Sequence, residues 1–157
     1  MDRKYWETMA PKYNDEIFDV LQNDRSGKIV KAIEQYASKR KSVIDIGCAI
    51  GKWIPLLSSK FRNVIAADIS AINLKIAKEK YPVLTNVEYI RADMSADNLS
   101  IEPCDVAICI NAILTDSLKK RINFFQSLQL CLNKKGKLIL VVPSLESKLY
   151  ANIIANR

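Results

Sequence analysis

The chain has 157 residues, 49% apolar and 26% charged, the size and balance of one globular domain around one core. No apolar run approaches the roughly 18 residues needed to span a bilayer, and the mixed-charge start Met1-Asp2-Arg3-Lys4-Tyr5-Trp6-Glu7 has no apolar stretch of a secretion signal. The net charge of +7 suggests nucleic acid until it is located: residues 1–115 carry 16 Lys/Arg against 15 Asp/Glu, while residues 116–157 carry 8 against 2.

That excess falls mostly on outer helix faces and turns, where solvated lysines are ordinary, so a nucleic-acid partner is disfavoured, though not excluded. The four cysteines (Cys48, Cys104, Cys109, Cys131) form no CxxC pair, and three lie in or beside apolar runs. They read as small buried hydrophobes in a reducing, cytoplasmic setting. With no histidine in the chain and this cysteine spacing, no metal site is expected.

Helical segments are expected first, over 2–10, 13–22 and 25–38, the third started by Ser26 or Gly27. Ser42-Val43-Ile44-Asp45-Ile46 reads as a buried strand, followed by a helix over 52–60 with Pro55 in its first turn. Residues 63–68 form a second strand and 72–80 a second helix, closed by Tyr81-Pro82. Val87–Arg91 alternates as a third strand, and 105–110 is a fully apolar fourth. Over 116–131, Leu118, Ile122, Phe125 and Leu128 share one helical face. Asn133-Lys134-Lys135-Gly136 is a turn, 137–142 a fifth strand closed by Pro143, and Leu145 to Ile154 an amphipathic stretch. Alternating strands and helices with near-continuous apolar strands predict a doubly wound α/β sheet covered on both faces. Ligands then gather at the carboxyl ends of the strands.

The most informative segment is Asp45-Ile46-Gly47-Cys48-Ala49-Ile50-Gly51. A buried strand enters a small-residue turn and then a helix, which lets backbone approach a ligand and aims helix N-terminal amides at it. A dinucleotide site wants G-x-G-x-x-G, but its second glycine is Ala49 here and its third Lys52. An acidic residue two before the first glycine instead resembles motif I of class I S-adenosylmethionine-dependent methyltransferases, D/E-x-G-x-G-x-G. Asp68 at the end of the second strand and Asp93-Met94 after the third agree with it, so a carboxylate follows or closes each of three successive strands.

The resemblance implies a Rossmann-like sheet of order 3-2-1-4-5 and S-adenosylmethionine as cofactor, with S-adenosylhomocysteine as product. It assigns Asp45 to the amino group of the cofactor's methionine part, with Gly47, Cys48, Ala49 and Gly51 passing beneath. Asp68 takes the ribose hydroxyls and Ile69 flanks the adenine. Asp93 takes the adenine amine, Met94 covers the ring, and Asn111 brackets the methionine end. On this basis Asp68→Ala is expected to weaken cofactor binding at least tenfold and leave the fold intact.

Tyr5-Trp6-Glu7, Ala10 and Tyr13-Asn14 resemble the entry helix of small-molecule methyltransferases, where a tyrosine reaches the cofactor. Packing of Tyr5, Trp6, Tyr13 and Phe18 on the sheet is the equal alternative. Trp53 has two readings as well, at the cofactor mouth or between helix and strand.

The chain is read as one domain, 1–157, with a helical cap over 1–40 and a core over 41–157. Strands six and seven of the family are missing from it, which suggests a fragment and leaves the fifth strand an exposed edge, open to homodimerisation. The expected activity is in-line methyl transfer to a small-molecule acceptor, with no His general base and no catalytic residue assigned. The alternative is a binding or scaffold module that keeps the fold without transfer, for which Ala49 and the missing strands argue; a nicotinamide-dependent enzyme is a distant third.

Overall fold

The computed structural model describes residues 2–144, so the stretch Leu145 to Ile154 lies outside the described residues. The described residues hold five strands in one parallel sheet: β1 (Ser42–Ile46), β2 (Asn63–Asp68), β3 (Val87–Arg91), β4 (Cys104–Ile110) and β5 (Leu132–Val141). Their spatial order is β3-β2-β1-β4-β5, as expected. The helices are α1 (Arg3–Met9), α2 (Tyr13–Glu16), α3 (Val20–Asn23), α4 (Lys28–Tyr36), α5 (Ile54–Lys60), α6 (Ala71–Lys80) and α7 (Leu118–Leu130), with a 3-10 turn over Ala10–Lys12. None of these helices is long and apolar enough to cross a membrane.

The three central strands are apolar on both sides because both sides are covered. Val43, Val64, Val106 and Ile108 pack with Ile33 of α4 and with Leu57 and Phe61 of and after α5. The alternate residues Ile44, Ile46, Ile65, Ala107 and Cys109 pack with Leu128 of α7 and Cys131. Leu74 and Ala77 of α6 close over Ala66. Each fully buried aliphatic side chain contributes about 1.5–3 kcal/mol, which holds helices on both faces, and parallel pairing brings the carboxyl ends of β1, β2 and β4 to the same side. Strand order reverses between β1 and β4, which opens a crevice at their carboxyl ends.

The structure departs from the sequence reading in three places. The helix expected over 13–22 is broken: Ile17 is extended, and Asp19 starts α3 afresh by accepting from Gln22 N–H at 3.0 Å. α4 begins after Gly27, one of its two expected starts, and the Asp24 carboxylate adds a cap by accepting from the N–H groups of Lys28, Ile29 and Val30.

α7 is seated on a different face from the one expected. Ser127 and Leu128 are buried, whereas Leu118, Ile122 and Phe125 are exposed. A small Ser127 lets the helix lie close on the sheet, and Phe124 turns toward the crevice instead. The strand β5 also runs through the expected turn. Cys104 pairs with Leu132 and Val106 with Lys137, so Asn133 to Gly136 is looped out as a bulge in the ladder.

Candidate functional site

β1 carries Asp45 to the carboxyl end of the sheet, and the chain turns through 47–51 before α5. Three residues of this turn hold left-handed backbone: Gly47 (φ 74°), Ala49 (φ 48°) and Gly51 (φ 79°). At Gly47 a Cβ would collide with that of Ala112 in the loop after β4, so both dihedral and space call for glycine. Ala49 keeps the same left-handed shape at a cost of about 1–2 kcal/mol. Alanine thus stands in a conformation that glycine takes more readily.

Asp68 ends β2 and is buried, and its carboxylate organises the neighbouring loops. Oδ2 accepts from Ala49 N–H at 2.9 Å, and Oδ1 from Ser70 N–H at 2.8 Å and Asn73 Nδ2 at 3.4 Å. Ser70, not Asp68, caps α6, its hydroxyl accepting from Asn73 N–H. Burial raises the Asp68 carboxyl above the usual carboxylate range against the pull of these three donors. Because Ala49 and Ser70 depend on it, Asp68→Ala strips the turn of its anchor as well as any ligand contact, and the fold is not a bystander.

Asp45 is 2% exposed and its buried Oδ2 has no hydrogen-bond partner among the described residues. Burial, and then the negative charge of Asp68, push its carboxyl up to about 7. A buried carboxylate without a donor is strongly unfavourable, and a cationic amino group is the partner that best satisfies it.

Between these loops and the N-terminal helices lies a cavity of about 500 Å³. Tyr13, Asp45, Gly47, Cys48, Ala49, Asp68, Ile69, Asp93, Met94 and Asn111 all line it. Gly51, expected with them, does not. It sits where α5 meets α6, and a Cβ there would come within 2.8 Å of Ile54 Cδ1 and 3.0 Å of Ala77 Cβ. Its role is close packing beneath the turn.

Asp93 is exposed and bridges to Ser95, accepting from its N–H at 2.8 Å and its hydroxyl at 2.6 Å, whereas Met94 beside it is buried. Asn111 takes left-handed backbone (φ 52°) as β4 leaves the sheet.

The N-terminal aromatic residues face this cavity. Tyr5 and Trp6 meet edge to face with centroids 5.1 Å apart, Tyr13 lies 6.5 Å from Trp6, and Phe18 is 68% exposed, too open to be core. Burial, then the charges of Asp68 and Asp45, push the Tyr13 hydroxyl up to about 12. Trp53 combines its two readings, packed in the core beneath β1 with an edge on the cavity.

Two features were not foreseen. Lys52 Nζ meets Asp19 Oδ2 at 2.6 Å, both largely buried, and lies 5.8 Å from the Tyr13 ring centroid. The pair ties the N-terminal cap to the glycine-rich turn, and nothing in a separation of 33 residues announces it. Asn73 lies buried on the inward face of α6, where its place at helical spacing between Ser70 and Ala77 was the available signal.

Residues 43–136, which include the acidic strand residue and the left-handed turn, match a family model described as a methyltransferase domain. The chain belongs to this methyltransferase domain family. No curated protein is matched by sequence.

Among solved structures the methyltransferase domain is similar to a DhpI–SAM–HEP complex, at 20% identity and a TM-score of 0.74 over 96% of this chain and 68% of that one. It is similar to the PH0226 protein of Pyrococcus horikoshii OT3, at 23% identity and a TM-score of 0.73 over 91% of this chain and 70% of that one. It also resembles phosphoethanolamine N-methyltransferase 1 of Haemonchus contortus, held with phosphoethanolamine and S-adenosylhomocysteine. There the identity is 19% and the TM-score 0.67, over 88% of this chain and 31% of that one. The class I Rossmann-like fold is thus common to all, and this chain spans between 31% and 70% of these relatives' length.

Proposed function

We propose that the cavity binds S-adenosylmethionine and that the domain transfers its methyl group to a small-molecule acceptor. The observation that carries this reading is the buried, unpartnered Oδ2 of Asp45 at the head of a turn held left-handed at three residues. The methionine amino group is a cation of the right charge and donor number for that carboxylate. A dinucleotide offers no such group there.

The remaining residues fall into place around this anchor. Gly47, Cys48 and Ala49 form the floor, with Gly51 packed below. Asp68 keeps lone-pair capacity on Oδ2 for a ribose hydroxyl, and Ile69 and Met94 are apolar neighbours for adenine. Asp93 Oδ2 stands ready for an adenine amine, and Asn111 borders the methionine end. Tyr13 and Trp6 exclude water from above. Structures of the DhpI protein with SAM and of the H. contortus enzyme with S-adenosylhomocysteine support the same choice of cofactor. A cavity of about 500 Å³ lies in the range of small-ligand sites, roughly 300–1,000 Å³, a size suited to the cofactor itself.

When bound, S-adenosylmethionine supplies an electrophilic methyl group on a sulfonium. The chain contributes alignment and a dry cavity; with no histidine it offers no imidazole base, and an acceptor already nucleophilic needs none.

Titration calorimetry with S-adenosylmethionine, S-adenosylhomocysteine and NAD is the test. Micromolar binding of the first two and none of NAD is expected; binding of NAD alone, or of none by a folded chain, overturns the reading.

A further inference from the structure

On α6 the inward stripe reads Ser70, Asn73, Leu74 and Ala77, and Asn73 is its largest polar member. Its side chain lies on the cavity wall, is 1% exposed, and directs Nδ2 at Asp68 Oδ1. The orientation of the amide follows from the chemistry. A carboxylate only accepts, so the NH₂ must face Asp68 and the carbonyl oxygen must turn away. That oxygen is buried and has no partner among the described residues.

An unpartnered buried acceptor is unfavourable, and leucine would fill an inward helix face without that penalty. Packing therefore does not account for an asparagine here. Its effect on Asp68 does. A carboxylate offers roughly four lone-pair sites. Ser70 N–H and Asn73 Nδ2 fill both on Oδ1, and Ala49 N–H fills one on Oδ2. A single site is left open, and it is on Oδ2.

We propose that Asn73 is a positioning residue for Asp68: by engaging Oδ1 it commits the carboxylate to offer Oδ2 alone, to one ribose hydroxyl, rather than sharing both oxygens across the diol. The proposal rests on the S-adenosylmethionine reading above. Without Asn73 the carboxylate regains a site on Oδ1 and treats the two hydroxyls more evenly.

The test compares S-adenosylhomocysteine with its 2′-deoxy and 3′-deoxy analogues by calorimetry, on the unaltered chain, Asn73→Leu and Asn73→Ala. On the unaltered chain, removal of one hydroxyl should weaken binding about tenfold and removal of the other much less. In both variants the two losses should become equal within about twofold, while the thermal transition stays cooperative. Asn73→Ala stands in should leucine prevent folding, since it leaves room instead of adding bulk. A one-sided loss that persists in a folded variant overturns the role of Asn73, as do equal losses in the unaltered chain. Failure of S-adenosylhomocysteine to bind the unaltered chain overturns the cofactor assignment itself, and this proposal with it.

Discussion

Asp45 stands between Ile44 and Ile46 on the central strand, with its carboxyl pushed up to about 7 and its buried Oδ2 unpartnered among the described residues. Its folded value is raised, so the sign of the linkage is set. Its contribution to stability is full below the usual carboxylate range and is lost as pH rises toward and through about 7, where the folded state must hold a buried anion. Asp45→Asn removes that anion. We expect urea denaturation to show the variant about 1–3 kcal/mol more stable at pH 8, with the gain fading as pH falls toward 5. Calorimetry on the same variant should show S-adenosylhomocysteine binding lost. In the unaltered chain that affinity should fall up to tenfold per pH unit below about 7, because the ligand cation needs the ionised form. Ala49 makes a second case at this scale. Its left-handed backbone suits glycine better, so Ala49→Gly should raise the melting temperature by about 2–4 °C and leave cofactor affinity within twofold.

Between elements, the short Lys52–Asp19 pair links the cap to the turn after β1. Burial pushes the Asp19 carboxyl up, but the hydrogen bond from Lys52, N–H donors and the Lys52 charge hold it below the usual range. The stabilisation it brings is present above that range and lost as pH falls through the depressed value. Lys52→Met leaves Asp19 without its cation and should cost about 1–3 kcal/mol at pH 7 by chemical denaturation, with the difference shrinking toward pH 3.

Elements like these also mark how far the sequence could be read. The strands β1, β2 and β4 were plain because burial on both faces leaves near-continuous apolar runs, and Asp45, Asp68 and Asp93 stood out because each lies at or just past the carboxyl end of a strand. The seating of α7 was not, since Phe124-Phe125 and Ser127-Leu128 supply apolar or small residues on two adjoining faces, and only the sheet decides between them. The break after Glu16 was hidden for a similar reason: no proline or glycine interrupts 13–22, and Asp19 is drawn out of the helix by α3 and Lys52. Asn73 was passed over because a single amide on a helix face is usually solvated.

Over the molecule as a whole, the two ends of the sheet are put to different uses. The carboxyl ends hold the cavity. At the opposite end, Ser42 N–H donates to Asp105 Oδ2 at 2.9 Å and Asn133 Nδ2 to Asp105 Oδ1 at 3.1 Å, clamping β1, β4 and β5 together. β5 is an edge of the described sheet, and Leu138, Leu140 and Val142 along it are exposed, as are Leu118, Ile122 and Phe125 of α7. Lys134, Lys135 and Lys137 add positive charge near that edge. Two copies pairing along β5 would carry Lys134, Lys135 and Lys137 of both near their shared edge.

The bulge at 133–136 gives the protein engineer a place to work. Its backbone has already left the ladder, Lys134 and Lys135 are exposed, and Gly136 is the one crowded member, with a Cβ there meeting Leu132 Cδ2 at 2.9 Å. A peptide epitope or small fluorescent module spliced between Lys134 and Lys135 interrupts no strand pairing and leaves the Asn133 clamp whole. Such an insertion should preserve S-adenosylhomocysteine affinity within about twofold by calorimetry and lower stability by about 1 kcal/mol or less, the slow growth of loop entropy with length. The same splice in the 47–51 turn would abolish binding.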